Sequence, residues 1–178
     1  GHQGVAWEPV VVTLVDERWV DETSERSNGR LVKADLLQGP AAAARFVPLY
    51  SGGEAPDTEA LARTREALAG VPSPFDAVVL GMGNDGHTAS FFPGGDNLRQ
   101  ALNEDIDVLA MHAPGAGEPR VTLSLRRLMR TRALYVHIEG EEKARVLDLA
   151  LSVGSAEDMP IRAVLRQTEL PVTVFWCP

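Results

Sequence analysis

The chain predicts an α/β fold: a mostly parallel, Rossmann-like sheet with helices on both faces. Three features carry that expectation. Short β-branched apolar runs recur along the chain. They are continuous where a half-exposed strand would alternate, as in strands buried on two sides. Segments with helix-forming composition and recognisable caps fall between them, the pattern of a parallel sheet with crossover helices.

The first run is Val10-Val11-Val12-Thr13-Leu14-Val15, a strand expected to be buried on both faces. Ser27 is a good N-cap for a helix over Asn28 to Leu37, which Gly39-Pro40 stops. Arg45 to Leu49 suits a short strand. Pro56-Asp57 opens a second helix, Thr58 to Ala69, rich in Ala, Leu and Arg and ended by Gly70 and Pro72. Phe75 to Leu80 reads as the next buried strand, with a Gly-rich turn from Gly81 to Gly86 behind it. Further along, a short helix is expected over Leu98 to Asn103 and strands over Val108 to Met111 and Val121 to Leu123. A short basic helix near Leu125 to Met129 comes next. Leu134 to Ile138 is a strand, Gly140 turns the chain into an amphipathic helix over Glu141 to Leu151, and Val172 to Trp176 is a last strand. No repeat, low-complexity tract or long linker interrupts this order, so residues 1–178 are expected to form one domain.

Composition narrows the function. Apolar residues make up 44% of the chain, enough to bury a core, but aromatics only 6%, so Val, Leu and Ala must fill most of it. A net charge of −8 speaks against a nucleic-acid surface, though local cations can still bind an anionic substrate. A single cysteine, Cys177, excludes an internal disulfide and a Cys-based metal cluster, and suits a reducing cytoplasm. No apolar stretch has the roughly 20 residues that span a bilayer. Gly1-His2-Gln3-Gly4 lacks the basic and apolar regions of a signal peptide and looks like a cut end. The oligomeric state is not legible.

In open parallel sheets ligands bind beyond the carboxyl ends of the strands. Three polar clusters fall there. Gly81-Met82-Gly83-Asn84-Asp85-Gly86-His87-Thr88-Ala89-Ser90 follows one strand. Its glycines, Gly83 and Gly86 among them, permit a sharp turn whose amides could bind an anion or a developing oxyanion. His87 can take a proton near neutral pH, and Asp85 could orient its ring. The plain alternative is a capped turn with an exposed histidine. The spacing fits neither the dinucleotide fingerprint nor a P-loop.

Asp16-Glu17-Arg18 follows the first strand; Asp16 could orient a substrate hydroxyl and Arg18 could grip an anion as a fork, against the plainer reading of a solvated turn. Ser27-Asn28 reads as a cap rather than a ligand. In Gly140-Glu141-Glu142-Lys143, a helix N-terminus with Lys143 makes a phosphate cradle, unless Lys143 is a screened surface residue. Arg120 is a further cation. Arg126, Arg127, Arg130 and Arg132 read as a solvated helix face. His2, His112 and His137 share no metal-ligand spacing, and His137 is expected to pack in the core. No metal site is expected, and no nucleophile elbow is present.

Taken together these clusters resemble a known family. Asp16-Glu17-Arg18-Trp19-Val20 with Ser27-Asn28 is similar to the "DER-x-V…SN" segment of the 6-phosphogluconolactonases. Gly81 to Gly94, GMGNDGHTASFFPG, resembles that family's most diagnostic stretch, and Arg120-Val121-Thr122-Leu123 and Gly140-Glu141-Glu142-Lys143-Ala144 resemble its later motifs.

The resemblance implies a fold related to glucosamine-6-phosphate deaminase and hydrolysis of a sugar-phosphate lactone, in the oxidative pentose phosphate pathway, without metal or cofactor. It implies that His87 activates water, that Asp85 holds His87 or the water, and that Asp16 and Arg18 line the pocket. It also implies that Arg120 and Lys143 bind the phosphate. The family's opening strand and "SGGSTP"-like loop are absent from these residues; Ser51-Gly52-Gly53 matches it in letters only. A deaminase would carry "DEY" at Asp16 and an acidic residue soon after His87, where Phe91-Phe92-Pro93-Gly94 stands instead. A sugar-phosphate sensor on this fold would not need both Asp85 and His87.

Overall fold

The computed structural model describes residues 4–178. The expected cut end at Gly1 to Gln3, and His2 with it, lie outside the described residues. Among the described residues eight strands and six α-helices follow one another in mixed order, as an α/β fold requires. β1 (Val11–Thr13) pairs in parallel with β3 (Arg45–Val47). β4 (Val78–Leu80), β7 (Leu134–Glu139) and β8 (Val172–Cys177) form a second parallel sheet in that order. A third sheet is antiparallel, which the alternation of strands and helices did not announce. In it β2 (Asp16–Arg18) pairs with β6 (Arg120–Leu123), and β6 with β5 (Val108–Met111).

Five of the helices lie where composition and caps put them. Ser27 caps α1 (Asn28–Asp35) by accepting from the Arg30 amide, and Asp57 caps α2 (Thr58–Leu68) through the Ala60 amide at 2.8 Å. α3 (Leu98–Asn103) and α4 (Leu125–Met129) follow, and α5 (Gly140–Leu151) begins at Gly140, whose φ of 85° is open to glycine. A 3-10 turn over Gly39–Ala43 and a one-turn helix, α6 (Ile161–Leu165), gave no signal in the sequence.

The core gathers Phe91, Leu49, Leu80, Leu134, Val136 and Ile161, each at most 1% exposed. In β7 the inward residues are Leu134, Val136 and Ile138, while His137 is exposed. The expected core histidine is therefore a surface one, because the strand alternates and does not bury both faces. Val79 of β4 and Phe175 of β8 are likewise uncovered. Arg127 departs from the expected solvated face. Its guanidinium lies over the Phe75 ring, 5.0 Å from the centroid, and is buried, while Arg130 is held by Asp105.

Candidate active site

The ends of β2, β4 and β6, together with the start of α5, surround one open cavity of about 340 Å³. Asp16, Arg18, Gly83, His87, Arg120 and Lys143 all line it. Residues from distant parts of the chain thus meet where the parallel fold was expected to bring them. The β2–β6 ladder does part of this work: Asp16 pairs with Thr122 and Arg18 with Arg120, so the antiparallel register sets two arginines side by side at the rim. β2 itself was unexpected, since three charged residues in a row do not signal a strand.

The Gly81–Gly86 turn presents His87. The Asp85 carboxylate accepts from the His87 amide at 3.0 Å and lies 2.6 Å from the ring Nδ1. In the neutral ring that short contact puts the proton on Nδ1 and leaves the Nε2 lone pair free. Partial burial pushes the Asp85 carboxyl up, but the hydrogen bonds and charge of His87 outweigh it and hold the group below the ordinary carboxylate range. The Phe92 ring packs on the imidazole, with centroids 4.4 Å apart, and the Arg120 guanidinium lies 5.2 Å from the same ring.

Gly83 and Gly86 do not serve as the sequence suggested. The Gly83 amide donates to His87 O at 2.8 Å and the Gly86 amide to Gly83 O at 3.0 Å, so both close the turn upon itself. Gly83 is required for space: a Cβ there would stand 2.7 Å from Asp85 Oδ1 and closer still to the His87 ring. Gly86, at φ 77°, turns the chain and lets Met159 approach. Neither Asp85, which is exposed, nor Gly86, which is buried, lines the cavity.

Asp16 accepts from Ser90 Oγ at 2.7 Å and lies 3.8 Å from Arg120 Nη1. Burial raises its carboxyl above the ordinary value, although Ser90, Arg120, His87 and Arg18 all pull it down. Burial likewise lowers Arg120, against the pull of Asp16. Arg18 donates through Nη1 to Asn28 Oδ1 and to Arg26 O, both at 2.8 Å. The Nε atoms of Arg18 and Arg120 are buried without a partner, two donors in want of an acceptor. Three cations thus line the cavity against one carboxylate, the local reverse of the chain's net charge. Ser90 and Phe92 were missed in the sequence, because a serine and an aromatic acquire meaning only through their neighbours, and Asn28, read with Ser27 as a cap, lines the cavity instead.

His137 meets Glu139 and Cys177 across β7 and β8, with candidate metal-binding atoms within 4.8 Å of one another. Spacing along the chain concealed this group. All three side chains are exposed and none lines the cavity. Among the described residues no helix is long and apolar enough to cross a membrane.

The family profile described as glucosamine-6-phosphate isomerases/6-phosphogluconolactonase matches residues 1–176. The chain belongs to this family. A 6-phosphogluconolactonase of Mesorhizobium japonicum is 51% identical over 176 residues, which cover 98% of this chain and 73% of that protein. One from Rhizobium meliloti is 49% identical, with 97% and 75% covered. The crystal structure of a 6-phosphogluconolactonase from Shewanella baltica superposes with a TM-score of 0.94 at 41% identity, covering 98% of this chain and 74% of that one. A monomeric glucosamine-6-phosphate deaminase, at 17% identity and a TM-score of 0.69, shares the fold.

Proposed function

We propose that the protein hydrolyses 6-phospho-D-glucono-1,5-lactone to 6-phospho-D-gluconate, the lactone-opening step of the oxidative pentose phosphate pathway, and that one domain carries the whole reaction. The observation that carries the mechanism is the His87 ring. Its Nδ1 is tied to Asp85, its Nε2 is free, and it lines the same cavity as Arg18, Arg120 and Lys143.

A water hydrogen-bonded to Nε2 attacks the lactone carbonyl carbon, and His87 takes its proton. The new C–O bond gives a tetrahedral oxyanion. As the ring C–O bond breaks, the imidazolium returns the proton to the departing ring oxygen, which becomes a hydroxyl. The net change is the addition of one water. Asp85 stays ionised and stabilises the imidazolium. Asp16, fixed by Ser90, orients a ring hydroxyl. The unpartnered Nε groups of Arg18 and Arg120 and the ammonium of Lys143 hold phosphate and oxyanion. The exposed thiol of Cys177 suits a reducing cytoplasm.

The test is hydrolysis of freshly prepared 6-phosphogluconolactone beside unphosphorylated gluconolactone, with spontaneous opening subtracted. Strong preference for the phosphorylated lactone is expected. Equal rates on both would remove the phosphate from the account, and no acceleration of either would sink the hydrolytic reading.

A further inference from the structure

Glu17 is 1% exposed and lies between the two residues assigned to the cavity on β2, facing away from it. Its carboxylate receives four donors. Oε1 accepts from the Arg18 and Asn28 amides, both at 2.8 Å, and Oε2 from Ser27 Oγ at 3.0 Å and the Gly29 amide at 2.7 Å. Three of these donors belong to the first residues of α1 and its cap. The four donors leave neither carboxylate oxygen unpartnered and tie the group to the helix N-terminus.

The clamp acts on the cavity through Asn28. Glu17 holds the Asn28 backbone, and the Asn28 side chain then bridges β2: Nδ2 donates to Asp16 O at 3.1 Å and Oδ1 accepts from Arg18 Nη1 at 2.8 Å. Arg18 is thereby fixed with its Nε buried and unpartnered. We infer that Glu17 is a positioning residue that presets the Arg18 guanidinium for the substrate by fastening the N-terminus of α1 to β2. This rests on the hydrolytic reading of the cavity.

Glutamine cannot replace it. In either orientation its amide NH₂ would face a backbone N–H, of Gly29 or of Arg18 and Asn28, so Glu17→Gln breaks the clamp while keeping the shape. A residue that acts through another shows it in a double-mutant cycle. The kcat/KM for 6-phosphogluconolactone and the Kd for 6-phosphogluconate are measured in the wild type, Glu17→Gln, Arg18→Gln and the double variant. With Arg18 present, Glu17→Gln is expected to weaken both quantities by about tenfold or more, through KM rather than kcat. Without Arg18 the same change has less than about a threefold effect.

Equal losses in both backgrounds would make Glu17 a general stabiliser of the fold and overturn the assignment. If Glu17→Gln does not fold, Ser27→Ala withdraws one of the four donors. A KM rise of about threefold that vanishes with Arg18→Gln supports the clamp, and an unchanged KM overturns it. A wild type that binds 6-phosphogluconate but opens no lactone would refute the hydrolytic reading, and the cycle in Kd would still decide for or against Glu17.

Discussion

Gly83→Ala tests the geometry of the base by adding one methyl group. The new carbon would stand 2.7 Å from Asp85 Oδ1 and nearer still to Nδ1 and Cε1 of His87. Carbon contacts are comfortable at about 3.5–4.0 Å, so the imidazole must retreat by about 1 Å or more. Misplacing a reacting group by that distance costs about 10²-fold in rate, or about 2.7 kcal/mol of transition-state stabilisation. Gly83 is not among the residues with positive φ, so alanine adopts its backbone without strain, and the restricted unfolded chain offsets part of any folding loss. The expected result is kcat reduced by about 10²-fold, with the thermal midpoint within about 3 °C of wild type. Gly115→Ala, where a Cβ meets nothing within 4 Å, is the control and should behave as wild type. The assay is initial-rate lactone opening, corrected for spontaneous hydrolysis, alongside a melting curve. Full activity in Gly83→Ala would refute the placement of His87 against Gly83 and with it the tautomer argument.

Other consequences are open to direct measurement. Lys143→Ala should raise KM for the phosphorylated lactone by about tenfold or more, the value of a charge-assisted hydrogen bond, and leave gluconolactone hydrolysis unchanged; parallel KM values for both lactones decide it. Asp16 has a raised carboxyl in the folded state, so the native protein holds that proton more tightly than the unfolded chain. Its contribution to stability is therefore greatest below the unfolded value of 3.8 and fades as pH rises through the higher folded one. Asp16→Asn should remove this decline, visible in denaturant titrations from pH 4 to 7, while lowering kcat/KM. Arg162 is 4% exposed and donates to the carbonyls of Leu149 and Ala150 in the last turn of α5 and of Val153 and Ser155 beyond it. Arg162→Leu should lose about 3 kcal/mol by removing those buried hydrogen bonds, a fall of about 10 °C in the thermal midpoint, with kcat unchanged below it.

The sequence was most legible where local signals agree. The run Leu134 to Ile138 announced β7, and Ser27 and Asp57 announced α1 and α2 because each places an oxygen over free helix amides. It was least legible where tertiary pairing decides. Asp16-Glu17-Arg18 has no strand propensity, yet its backbone is captured by β6, and its alternation turns Asp16 and Arg18 toward the cavity and Glu17 into the protein. α6 was missed because one turn carries too little periodicity. Within the site, six of the eight residues expected from motifs line the cavity and Asp85 supports one of them. The glycines kept their importance but changed their function, from anion donors to spacers, which only the hydrogen bonds of the turn could reveal. Asn28 and Ser90 bear on the site through side-chain hydrogen bonds to residues of another element, a relation no spacing rule encodes.

The central claim is that His87 removes the proton from water in a site that holds the substrate by other groups. The most direct measurement is the turnover of His87→Ala on 6-phosphogluconolactone, with the Kd for 6-phosphogluconate determined on the same preparation. The account predicts kcat lower by about 10²–10⁴-fold, the usual contribution of a general base, with Kd within about threefold of wild type. A variant that keeps kcat within tenfold of wild type, at unchanged affinity, would contradict it.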